Sequence, residues 1–146
     1  MEAGLQSDLN GLIRKLQGIE AAVKKDIKGD LKEASTIIVT AIKVRAPIGS
    51  KAHKRKGVVY LPGNLRKSIQ VLPLRRTKNA VVVGPRARGG TPDGFYARFL
   101  EFGTSKMTAR PFVEPAVNES LPIAQSFALE LLKRRVERYA QQNAVQ

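Results

Sequence analysis

One apolar stripe governs the first third of the chain. Leu5, Leu9, Leu12, Leu16, Ile19, Val23, Ile27, Leu31, Ala34, Ile38 and Ala41 recur at steps of three and four residues. That spacing lines one face of a helix with ~3.6 residues per turn, and it persists for about ten turns. Gly29-Asp30 is the natural interruption, since Gly weakens a helix and Asp caps the next one. The pattern predicts helices over 3–27 and 30–45, or one continuous helix. Ala46-Pro47 stops the run, because proline restricts its predecessor and cannot extend the hydrogen-bond ladder.

Beyond Pro47 the periodicity is lost. Residues 48–64 read as a loop, with Gly49, Ser50, the Lys-Ala-His-Lys-Arg-Lys run of 51–56, Gly57 and Pro62-Gly63-Asn64; Val58 to Leu61 suits an edge strand within it. Ser68 to Leu74 and Ala80 to Gly84 are β-rich and flank the polar segment 75–79, a hairpin signal. Glycines and prolines over 84–94 mark a second loop. Phe95, Tyr96, Phe99 and Phe102 follow at helical spacing, four of the eight Phe and Tyr residues of the chain, and are expected in the core. Gly103 suits the helix end. Pro115 suits the first turn of a last helix, whose stripe runs through Leu121, Ala124, Phe127, Leu131, Val136 and Tyr139. Pro122 breaks that stripe, with Ser120 as the residue to re-cap it.

The expected fold is α+β: an N-terminal helical arm, a small antiparallel β-sheet and a C-terminal helix packed on the sheet. A length of 146 residues suits a single domain, divided into a helical arm (1–46), a basic loop (47–64), a β-rich core with a short helix (65–114) and a C-terminal helix (115–142).

Charge is the second constraint. Twenty-six Lys and Arg face twelve Asp and Glu, a formal +14. Between Glu33 and Asp93 there is no acid and there are thirteen bases, among them Lys51, Lys54, Arg55, Lys56, Arg66, Lys67, Arg75, Arg76, Lys78, Arg86 and Arg88. Such a block repels itself unless a polyanion or an acidic protein surface lies nearby; otherwise it is a solvated face.

Catalytic chemistry finds little footing. There is no cysteine, hence no thiolate nucleophile, disulfide or Cys-type zinc site. His53 is the only histidine and has no second ligand at metal spacing, so it reads as a surface residue. Asp93 and Glu101 are the only carboxylates of the central region, and nothing pairs them for acid–base work. Glu101, set between Leu100 and Phe102, is expected to form a structural ion pair with Arg98 or Arg110. The 84–90 segment matches no phosphate-binding fingerprint, and the basic block offers only Tyr60 for stacking on bases. Nucleic-acid contact, if made, is to phosphates and steeply salt-dependent. No run of ~18–20 apolar residues spans a membrane, and the N-terminus lacks the features of a secretory signal; synthesis in the cytoplasm is expected.

Two segments carry a family resemblance. Phe95-Tyr96-Ala97-Arg98-Phe99-Leu100-Glu101-Phe102-Gly103-Thr104 and Ala109-Arg110-Pro111-Phe112-Val113-Glu114-Pro115-Ala116 resemble the Tyr-Ala…Leu-Glu-Phe-Gly-Thr and Ala-Arg-Pro-Phe…Pro-Ala segments of the lambdoid long-tailed phage tail-component family. Ala46-Pro47 and the run Gly63-Asn64-Leu65-Arg66-Lys67-Ser68-Ile69 are similar to its upstream elements, so the likeness spans roughly 34–118. The insert from Ile48 to Pro62 is longer and more basic than the family pattern. The resemblance implies motif residues Tyr96, Leu100, Glu101, Phe102, Gly103, Thr104, Arg110, Pro111, Phe112, Pro115 and Ala116 in structural roles. It also implies a sixfold ring in the neck or at the head-proximal end of the tail, with DNA passing through and with tail-terminator, tail-tube and head-completion proteins as neighbours. Such a protein is made in the host cytoplasm and ends in the virion, with no catalysis, cofactor, small-molecule substrate or membrane. The basic block then grips acidic protein neighbours first and DNA phosphates second. A basic nucleic-acid-binding module and a small nuclease using Glu101 or Asp93 are the competing classes.

Overall fold

The computed structural model describes residues 2–55, 57–74, 77, 79–87 and 92–143. Helix α1 spans Glu2–Arg45 without a break, a rod of about 66 Å at 1.5 Å per residue. Gly29-Asp30 does not interrupt it, because Asp30 serves the helix face instead of a cap. Its carboxylate is nearly buried and takes a two-pronged contact from Arg135, Nε to Oδ2 at 3.0 Å and Nη2 to Oδ1 at 2.5 Å. At the far end Ala46 N–H still donates to the Ile42 carbonyl. The Arg66 guanidinium donates to the Val44 and Ala46 carbonyls at 3.4 Å each, placing positive charge at the negative end of the helix.

The segment expected to be a loop contains a hairpin. Strands β1 (His53–Arg55) and β2 (Val58–Tyr60) pair antiparallel, with His53 opposite Tyr60. Three-residue strands hold poorly by backbone bonds alone, and side chains supply the rest. The His53 ring stacks on Tyr60 at 5.1 Å and 12°, and Tyr60 meets Phe95 edge-on. The Arg55 guanidinium lies 4.1 Å above the Phe95 ring. A short helix α2 (Asn64–Ser68) leads into β3 (Ile69–Pro73), which pairs antiparallel with β4 (Val81–Pro85), Val71 opposite Val83. The hairpin predicted from the β-rich runs is therefore present, in a second two-stranded sheet separate from β1–β2.

Helix α3 (Ala97–Phe102) and helix α4 (Val113–Asn143) complete the chain. The core joins five elements: Ile42 from α1 with Ala46 just past its end, Leu65 from α2, Ile69 from β3, Ala97 from α3, and Phe112 and Ala116 at the start of α4. Helix α1 packs on both strands of the β3–β4 hairpin, the first turn of α4 reaches the same core through Phe112 and Ala116, and α4 runs along α1. The buried face of α4 runs through Ala116, Ser120 and Ala124, small residues that let two helices approach closely. Leu121, expected in the stripe, is exposed. Pro122 does not end the helix, and Ser120 does not re-cap it. Its hydroxyl donates to the Ala116 carbonyl one turn back at 2.6 Å.

Asp30 and Arg135 tie the two long helices together where both are largely screened from water. Replacing Asp30 with alanine is expected to lower stability by about 1–3 kcal/mol, because it removes the two-pronged, largely screened contact that joins α1 to α4. An Asp30→Leu/Arg135→Leu double variant should recover most of that loss, as read from urea unfolding midpoints.

Candidate assembly interface

The chemistry of the central region converges on the junction between α3 and α4. Helix α4 begins at Val113, and the position before it is Phe112, whose ring has no acceptor for the first N–H groups of the helix. Glu101 supplies the missing cap from another element. Its Oε2 accepts the Phe112 N–H at 2.8 Å and the Val113 N–H at 3.0 Å, and its Oε1 accepts the Glu114 N–H at 2.9 Å. The expected ion pair with Arg98 or Arg110 is replaced by this backbone clasp. Burial on its own raises the carboxyl pKa, but the three backbone donors outweigh it and hold Glu101 below its ordinary value, as does any carboxylate with several N–H donors.

The loop between the two helices is built to deliver those donors. Gly103 ends α3 at φ 72°, ψ −175°. Thr104 and Met107 exchange backbone hydrogen bonds, and the Lys106 N–H donates to the Thr104 hydroxyl at 3.2 Å. The Arg110 N–H then donates to the Leu100 carbonyl at 2.7 Å, while the Arg110 side chain and Pro111 stay exposed. Phe112 and Ala116 drop into the core, with Tyr96 and Leu100 packed beside them, and Pro115 lies half-buried in the first turn of α4. All eleven family-motif residues thus fall on one locked corner.

That corner holds an apolar surface outward. Ala97 and Leu100 face the core, so the opposite side of α3 presents Phe99 and Phe102 to solvent. Phe102 is 80% exposed and Phe99 44%, which corrects the expectation that this aromatic cluster is core throughout. Beside Phe102 a groove of ≈ 560 Å³ runs between α3 and α4, floored by Pro85, Ala97 and Val113 and flanked by Arg98 and Glu114. A large exposed aromatic on a rigid mount beside an apolar groove is the signature of a contact surface.

The basic residues divide. Lys51, Lys54, Lys67 and Arg86 are exposed, and Arg55 is exposed while stacked on Phe95. Arg66 is engaged with the end of α1. Lys56, Arg75, Arg76, Lys78 and Arg88 lie outside the described residues. Asp93 is buried and structural. It is held by Asn64, whose amide donates to the Asp93 carbonyl, and its Oδ1 accepts the Phe95 N–H at 2.9 Å. His53 is exposed, as a surface residue is expected to be. Among the described residues, no group of acidic or histidine side chains is arranged to hold a metal ion, and no helix is long and apolar enough to cross a membrane.

Glu101 thus braces the corner from which Phe102 stands outward. A family model described as "Bacteriophage HK97-gp10, putative tail-component" matches residues 10–103, more than half of the chain, and the chain belongs to that family of phage tail components. The matched stretch begins earlier in α1 than the motif resemblance does and ends at Gly103, so the Ala109–Ala116 segment lies beyond it. No curated protein and no solved structure matches the chain.

Proposed function

We propose that this protein is a structural ring subunit at the head–tail junction of a tailed phage, a tail-completion or neck component that supports head–tail joining around the DNA channel. The whole chain acts as one domain, copies of itself close a ring that is most simply sixfold, and tail-terminator, tail-tube and head-completion proteins are its neighbours. It is made in the host cytoplasm and works without catalysis. The observation that carries this reading is Phe102, held outward on a corner braced by Glu101 in a chain of the tail-component family. In a closed ring each subunit contact is heterologous, and modest contacts act together. A Phe102→Asp variant should keep its free energy of unfolding within about 0.5 kcal/mol of wild type yet fail to form rings on purified tails in negative-stain images. Virions that lack the protein and still assemble and infect would overturn the reading.

The net charge of +14 and the exposed Lys51, Lys54, Lys67 and Arg86 favour a second reading, a nucleic-acid-binding module indifferent to sequence. That reading expects a monomer or dimer that binds duplex DNA at micromolar affinity, with steep loss in salt, and that ignores tails. In the ring reading the same side chains meet acidic neighbours first, because strong phosphate binding along a conduit slows DNA transit.

A further inference from the structure

The apolar stripe of α1 is covered only in part. From Ile19 onward its members are half-buried or buried, and the end of α4 reaches Gly18, where the Tyr139 hydroxyl occupies the space a Cβ would take. Over residues 8–17 the members of the stripe are bare: Leu9 is 54% exposed, Leu12 54% and Leu16 57%, with Ile13 beside them at 49%. Four large aliphatic side chains in a row along one helix face form a contact surface.

We infer that this arm pairs with the same arm of a second copy, antiparallel and about a two-fold axis. This two-fold contact is separate from the heterologous contacts of a ring and does not depend on the ring reading. Leu5, Leu9, Leu12 and Leu16 stand at steps of four, three and four in the sequence, the seam of a coiled coil, and Ile13 widens it. The residues flanking a seam set the direction of pairing. Asp8 and Lys15 lie seven residues apart on the same flank of this seam. In an antiparallel pair, like flanks meet. Setting Leu9 against Leu12 of the second copy places Asp8 beside Lys15 of the second copy, and symmetry repeats the contact. A parallel pair instead sets Asp8 against Ile13, and Lys15 against Glu20, which is already bonded to Lys24 of its own chain.

Charge also favours a second copy as the occupant. Residues 8–20 carry two acids, Asp8 and Glu20, and two bases, Arg14 and Lys15. The arm is therefore neutral in a chain of +14, and it gives two such molecules an approach free of the repulsion between their basic blocks.

Sedimentation equilibrium of the full chain tests the pairing. Wild type should show a reversible two-copy step, and Leu12→Glu/Leu16→Glu should abolish it with an unchanged far-UV spectrum. Asp8→Lys alone and Lys15→Asp alone should each weaken it roughly tenfold by setting like charges together, and the double swap should restore it. Association that survives Leu12→Glu/Leu16→Glu overturns the inference. So does an Asp8→Lys variant that associates like wild type while Lys15→Asp and the double swap are both weakened, which is the parallel outcome. A wild-type arm that stays unpaired in solution but is shielded from protease on tails assigns it to another virion protein and also overturns the inference. Images of tails separate this from the ring reading. Rings formed by the Leu12→Glu/Leu16→Glu protein leave that reading standing, and absent rings with intact pairing overturn that reading alone.

Discussion

Replacing Glu101 with alanine is expected to lower the stability of the fold by about 2–4 kcal/mol, a fall of roughly 5–15 °C in thermal midpoint for a chain of this size. The variant leaves three N–H groups at the start of α4 without an acceptor, and it removes a negative charge from the positive end of that helix. Glu101→Gln should lose less, because one amide oxygen still accepts, although without charge assistance. The sign of the pH effect follows from the depressed pKa. A carboxylate whose folded pKa lies below its unfolded one contributes in full above the ordinary glutamate value, and its contribution fades as pH falls through the folded pKa. The gap between wild type and Glu101→Gln should therefore be widest near neutrality and close in acid. Urea unfolding at pH 7 and near pH 3 measures it, and a gap that stays constant would show that the clasp does not depend on the charge of Glu101.

That role was hidden in the sequence for a physical reason. A carboxylate between two apolar residues announces that it needs donors, and the nearest visible ones are the cations Arg98 and Arg110. Backbone N–H groups carry no letter in a sequence. The usable signal was on the acceptor's other side: a helix opening at Pro111-Phe112 with no Ser, Thr, Asp or Asn to cap it. Long elements were more legible. The 3.6-residue period announced α1 and most of α4, and alternation with a polar turn announced β3 and β4, since each pattern repeats over many residues. Of the β1–β2 hairpin only the second strand was legible, as the Val58–Leu61 run; β1 was not, because it is fixed by His53 on Tyr60 and Arg55 on Phe95, the last contact reaching some forty residues along the chain. Burial was ambiguous in another way. Leu9, Leu12, Leu16, Phe99 and Phe102 carry the apolar pattern of core residues, and pattern alone does not distinguish a face turned to the same chain from one turned to another.

Gly103→Ala is the second large effect, expected at about 3–5 kcal/mol. At φ 72°, ψ −175° the backbone occupies a region that glycine alone enters without strain, and an added Cβ would sit 2.8 Å from both the Ala109 nitrogen and the Met107 carbonyl oxygen. Asparagine should be no milder than alanine here, because its tolerance is for the left-handed helical region. Gly63, at φ 80°, ψ 1° with open space around its Cβ position, lies close to that region, so Gly63→Asn should cost far less. The damage at Gly103 should also reach Glu101. Moving Ala109 displaces Arg110, whose N–H is bonded to Leu100, and with it the Phe112, Val113 and Glu114 donors. The two substitutions then act on one structure, and a double-mutant cycle should show Gly103→Ala/Glu101→Ala costing clearly less than the sum of the single changes. Strict additivity would separate the turn from the clasp, and the corner that carries Phe102 would then be two independent supports instead of one.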